Sequence, residues 1–209
     1  MTLLFFLFEV SVISLSGVMA PGPVTAAAIA IGARSRHAGA LIAFGHGAVE
    51  LPLIILIVFG AGKLLELPAA QIVIGLAGGA FLIVMATQML SSLRSVENFE
   101  AKFSGTTPLL TGILLSATNP YFLLWWATIG LALATAAVNL GIWAFVLFAI
   151  VHWLCDFVWL CALSWASFKG SVLLGPRLRW IVLLICAAAM LVFGLCFVYK
   201  AVMTLTQHL

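Results

Sequence analysis

Residues 142–166 read IWAFVLFAIVHWLCDFVWLCALSWA. At 1.5 Å per residue, a helix over this run is longer than the ~30 Å hydrocarbon core of a bilayer. The run carries no Lys, Arg or Glu, and its one acid, Asp156, sits near the middle with His152 four residues before it. On a helix those two side chains share one face. A charge at the centre of a bilayer costs about 2.5–3.5 kcal/mol on insertion scales, so an acid and an imidazole at that depth read as a site. An earlier stretch, GHGAVELP, repeats the arrangement with His46 and Glu50.

The rest of the chain has the same character. Of 209 residues, 65% are apolar and 7% charged, with a mean hydropathy of +1.29. A soluble domain carries about 25% charged residues. Apolar segments at about residues 3–31, 40–60, 71–90, 108–134, 142–166 and 181–202 are each long enough to span. They predict an all-α integral membrane protein of six transmembrane helices, one transmembrane domain over 1–209. The spans and their loops leave no room among these residues for a soluble catalytic domain. The net charge of +3 is too small to suggest nucleic acid, and the basic residues lie between spans. Val18-Met19-Ala20 resembles a cleavage site, but no Lys or Arg precedes the apolar run, so residues 1–20 read as mature sequence.

Two of the spans contain helix breakers. Ala20-Pro21-Gly22-Pro23 interrupts the first, and Asn119-Pro120 the fourth. Proline lacks an amide proton, so carbonyls near Gly17, Met19 and Ser116 lose their helical partners. In lipid they must find others. Spans 1 and 4 are therefore predicted to be broken helices, with Asn119 able to bond exposed backbone.

Loops after spans 1, 3 and 5 carry seven of the nine Lys and Arg residues. This places them in the cytoplasm and both termini outside. The two halves also match in order: a proline break, then a His–acid pair, then a span rich in small residues. Pro21 and Pro120 are 99 residues apart, His46 and His152 106. Three spans per half require the second half to be inverted. The prediction is a 3+3 inverted repeat (about 1–91 and 108–209, joined by a cytoplasmic connector at about 92–107), the pattern of secondary transporters. Inversion reverses the order of the pairs across the membrane, so that His46 is expected level with Asp156 and His152 with Glu50. Gly75 and Gly79 in span 3 form a close-packing face that permits a homodimer.

These motifs resemble the lysine exporter (LysE/RhtB) family: Pro21-Gly22-Pro23, Gly32 and Gly39, the run Gly78-Gly79-Ala80-Phe81-Leu82, and Asn119-Pro120. Gly45-His46 with Glu50, Asn119-Pro120-Tyr121-Phe122 with Trp125-Trp126, and His152 with Asp156 and Trp159 resemble a largely archaeal branch of it. The resemblance covers essentially the whole chain. It implies six-helix inner-membrane proteins that export amino acids or related small solutes by proton exchange.

Two functions fit the site residues. In the first, backbone freed at Pro21, Gly22, Pro23 and Pro120 binds the charged ends of a zwitterion, and Glu50 and Asp156 carry the coupled proton. In the second, His46, Glu50, His152 and Asp156 bind a divalent metal for export, an arrangement that resembles cation diffusion facilitators. No other cofactor is expected. A thiol–disulfide carrier needs paired cysteines near the breaks, and spans 1 and 4 contain none; Cys155, Cys161, Cys186 and Cys196 read as packing residues. No pairing of nucleophile and base stands out to suggest a hydrolase. Trp143, Trp165 and Trp180 read as interfacial anchors and Glu9 as an interfacial acid, while Trp125 and Trp126 either line the pathway or fill the bundle, the second reading being favoured.

Overall fold

The computed structural model describes residues 2–61, 67–92, 106–173 and 175–207. Most of the predicted connector, and the loop with Lys63 and Glu66, lie outside the described residues. Every regular element among those described is helical. In order they are α1 (Leu3–Val18), α2 (Pro23–Gly32), α3 (Ala38–Leu56), α4 (Pro68–Ser92), α5 (Pro108–Ala117), α6 (Pro120–Trp125), α7 (Leu131–Leu140), α8 (Ile142–Leu173) and α9 (Gly175–Gln207). Wide turns at Ile57–Ala61 and Trp126–Gly130 extend α3 and join α6 to α7.

Among the described residues, five stretches are long and apolar enough to cross a membrane: Ala38–Gly60, Pro68–Ser91, Pro120–Leu140, Ile142–Gly170 and Leu183–Thr206. The run expected as one broken first span is two shorter helices of 16 and 10 residues. The fourth span differs from its expected limits. Its second piece alone is 21 residues long and runs on to Leu140, because the apolar pattern passes smoothly through the wide turn. Helix α8 also outruns its expected end at 166. Ser164 and Ser167 donate hydrogen bonds to the carbonyls of Ser35 and Ile29, which gives polar residues beyond the apolar core a packed surface to follow.

Both breaks form where the prolines stand. Pro23 occupies the first turn of α2 and Pro120 that of α6, where a missing amide proton is harmless. The carbonyls expected to be orphaned are largely reclaimed. Gly17 accepts from the Ala20 amide at 3.1 Å, and Ser116 from the Asn119 amide at 3.1 Å. Thr25 Oγ1 donates to the Ala20 carbonyl at 3.3 Å. A tightened last turn thus supplies, within the protein, the partners these carbonyls need in lipid.

Packing is set by glycine. Helices α4 and α9 cross at Gly79 and Gly194, each of which would drive a Cβ into the other's carbonyl. Gly75 faces Ala201 in the same seam. The face read as a dimer surface is thus covered by α9 of the same chain. Gly78, on the other side of α4, lies against the Pro120 ring and seats the second break. Helices α3 and α5 cross where Gly112 meets the Ile42 carbonyl and Gly45 the Leu109 carbonyl. Two larger apolar clusters flank the centre. One joins α2, α4 and α9 through Ile29, Leu82 and Met190; the other joins α1, α3, α6, α7 and α8 through Phe6, Ile54, Trp126 and Phe148. Outward-facing Phe8, Phe59, Trp143, Val158 and Trp165 are exposed, as a lipid-facing surface requires.

Candidate functional site

Helices α3 and α8 carry the two His–acid pairs and pack against each other. Their four side chains meet in one cluster. His46 Nε2 lies 3.3 Å from Glu50 Oε1 and 3.6 Å from Asp156 Oδ1. His152 Nε2 lies 3.1 Å from the same Glu50 oxygen and 3.7 Å from Asp156 Oδ2. Imidazole and carboxylate thus alternate around a ring. The expected cross-pairs, His46 with Asp156 and His152 with Glu50, are present, and each pair on one helix is in contact as well. All four residues are buried, Glu50 completely.

The far nitrogen of each ring is held by a residue from the other half of the chain. His46 Nδ1 lies 2.6 Å from Ser116 Oγ, one turn before the Asn119-Pro120 break. His152 Nδ1 lies 2.7 Å from Ser14 Oγ, in α1 before the other break. The crossing of Gly45 and Gly112 brings Ser116 within reach of His46. Sequence reading missed both serines. Their signal was faint: a serine a turn or two before a proline break, once in each half. A hydroxyl both donates and accepts, so either serine can serve an imidazole whichever nitrogen holds the proton.

Ser, His and acid in sequence invite comparison with a hydrolytic triad. Ser14 and Ser116 are fully buried, and neither lines the central cavity. A substrate carbonyl has no path to either hydroxyl, so the serines position the rings.

The cavity lies between the first break and the ring. About 80 Å³ is open to the centres of water molecules, several times the 10–15 Å³ that one water needs. Pro21, Gly22 and Pro23 form one wall with Thr25, and Asn119 contributes from the second break. All four ring residues line it. Asn119 Oδ1 accepts from the Tyr121 amide at 3.1 Å, capping α6 as expected of it. Pro120 is not in the wall; it packs beneath α4.

Trp125 and Trp126 do more than fill the bundle. Both line the cavity, Trp125 stacked on His152 at 5.0 Å between ring centroids and Trp126 edge-on to it at 4.9 Å. The reason is local. The wide turn at Trp126–Gly130 begins where the six residues of α6 end, so that Trp125 closes the helix and Trp126 opens the turn with both indoles against one ring, and such turns are common at functional sites. Three buried polar atoms in this wall lack a hydrogen-bond partner: Glu50 Oε2, Asp156 Oδ2 and Trp126 Nε1. Each such atom destabilises the unliganded state by roughly 1–3 kcal/mol unless a ligand or water satisfies it. Two acceptors and one donor suit a guest that can both donate and accept.

Two helix breaks, the paired His–acid helices and a polar cavity thus come together in one place. No curated protein and no solved structure matches the chain. The family model of the LysE type translocator matches residues 15–201, nearly the whole chain, and the protein belongs to that family.

Proposed function

We propose that this multi-pass membrane protein is a secondary exporter of amino acids or related small solutes, driven by proton exchange through alternating access. The carrying observation is the cross-bracing of the ring. Each imidazole sits on the second helix of one half and is held by a serine in the broken helix of the other. That is the relation two inverted repeats of three spans would produce, and it ties the ring to the elements expected to rock. Seven basic residues in alternate loops support a cytoplasmic connector with both termini outside, in the cell or inner membrane.

In this mechanism the solute enters the cavity beside Pro21, Gly22 and Pro23. The first-turn amides of α2 have no acceptor within the helix and favour a carboxylate. Glu50 and Asp156 receive the cationic end. Protons arriving from the far side displace it and reset the ring. The unpaired oxygens Glu50 Oε2 and Asp156 Oδ2 give both protons and solute somewhere to bind. Because the Gly17 and Ser116 carbonyls are already occupied, the carboxylates carry more of the recognition than the freed backbone does.

Reconstitution in proteoliposomes tests the reading. An imposed pH gradient should drive accumulation of a labelled amino acid, and an ionophore that collapses the gradient should abolish it. Flux of a panel of amino acids and small amines that ignores the gradient would refute proton coupling. Absence of any flux from an oriented, folded preparation would refute export.

A further inference from the structure

The geometry points to the ring of His46, Glu50, His152 and Asp156 as a binding site for one divalent transition-metal ion of the zinc class. The inference needs only the ring, and it uses the same carboxylates that the exporter reading gives to protons and solute, so that metal and solute would compete for them. Zinc binds imidazole nitrogen and carboxylate oxygen at about 2.0–2.2 Å, which sets neighbouring donors of a tetrahedral site about 3.3–3.6 Å apart. The nitrogen–oxygen contacts here are of that order: 3.3 and 3.1 Å from the two imidazoles to one Glu50 oxygen, and 3.6 and 3.7 Å to the two different oxygens of Asp156. Donor atoms of His46, Glu50 and Asp156 all lie within 4.8 Å of one another and form the core of the site, and His152 adjoins it through its contacts with Glu50 and Asp156.

Three further observations point the same way. Each imidazole turns Nε2 to the centre and is fixed from behind at Nδ1 by a serine, the outer-shell hydrogen bond that orients a metal-binding histidine. Glu50 Oε2 and Asp156 Oδ2 are buried without a hydrogen-bond partner, so both carboxylates keep lone pairs that an ion can take. Phe122, Trp125, Trp126 and Phe148 pack against the imidazoles and limit their movement. Two nitrogen donors select against magnesium and calcium, which take oxygen ligands.

The test uses the purified full chain, stripped with chelator and titrated with zinc by calorimetry and with cobalt by visible absorption. The expected result is one zinc per chain and the cobalt spectrum of a four-coordinate site, displaced by equimolar zinc and not by millimolar magnesium. Asp156→Asn should weaken zinc binding at least tenfold. Ser14→Ala and Ser116→Ala should each weaken it about 10–100-fold, as loss of an outer-shell partner does. His37→Ala should change nothing. Two results would overturn the site: no zinc binding by wild-type protein that is helical and monodisperse, or binding that survives both Asp156→Asn and His46→Asn. Neither touches the exporter reading, which rests on solute flux.

Discussion

The two sides of the ring are built from the same parts, yet they are not held alike. On the α3 side, Glu50 is wholly buried, and one of its oxygens lies within 3.3 Å of both imidazoles. On the α8 side, Asp156 is 7% exposed and stands 3.6 and 3.7 Å from the same two rings. The histidines differ in the opposite sense. His152 is packed by Trp125, Trp126 and Phe148, whereas His46 has Phe122 edge-on. Part of the asymmetry is one methylene: the longer glutamate reaches the centre and the aspartate stops short. The comparison assigns Glu50 the role of anchor and Asp156 that of the group that exchanges ligands.

The largest test of this division is stability. Glu50→Ala removes the carboxylate that both imidazoles contact and should lower stability by about 3–5 kcal/mol, as breaking a buried ion pair does. Asp156→Ala should lower it by about 1–3 kcal/mol, since its partners lie beyond hydrogen-bond length. Thermal unfolding of the two variants in one detergent measures the difference. Equal losses would break the comparison.

Transport gives the next effect. Asp156→Asn keeps the side chain's shape and removes its charge. Gradient-driven uptake should fall by more than tenfold while the protein stays monodisperse. Asp156→Glu lengthens the looser side to match the tighter one; it should bring the second carboxylate into contact with both imidazoles and slow turnover while raising the unfolding temperature. Faster turnover would show that reach does not separate the two acids.

What could be read from the chain follows the same division between local and long-range causes. The breaks at Pro21 and Pro120 are local consequences of proline and were legible to the residue. The pairing of His46 with Asp156 was legible because inversion reverses the order of matched pairs. Ser14 and Ser116 were not, because a buried serine carries no periodic signal and its partner is fixed only when α1 meets α8 and α5 meets α3. The glycine face at Gly75 and Gly79 was legible as a contact but not as to partner, since a small-residue stripe accepts any helix and α9 of the same chain takes it. Trp125 and Trp126 could be read as pathway or as filling but not as both, which they are: they belong to a buried apolar cluster and also pack on His152, from the end of α6 and the start of the wide turn.

The aromatic packing of His152 can be tested at Trp126, whose indole N–H is buried without a partner. Trp126→Phe retains a ring against His152 and Phe148 and removes the orphan donor. Stability without ligand should rise by about 1 kcal/mol, less whatever the smaller ring loses in packing. Solute affinity should fall several-fold if the donor serves the guest in the cavity. A variant that binds solute as wild type does would leave the indole as wall alone.

The smallest expected difference is the one between the two serines, and it bears most directly on whether the halves act as a matched pair. Each hydroxyl makes one buried hydrogen bond to an imidazole, at 2.6 and 2.7 Å, so Ser14→Ala and Ser116→Ala should each cost about 1–3 kcal/mol, mainly from the nitrogen left unsatisfied. The surroundings make the two unequal. His152 is clamped by three aromatic rings and should keep its orientation without Ser14. His46, with one edge-on ring, relies on Ser116 for its direction. Ser116→Ala should therefore reduce transport more than Ser14→Ala at similar loss of stability, and imidazole NMR signals of His46 should broaden while those of His152 stay sharp. If Ser14→Ala has the greater effect on flux, the anchor lies on the α8 side and the roles assigned to the two halves must be exchanged.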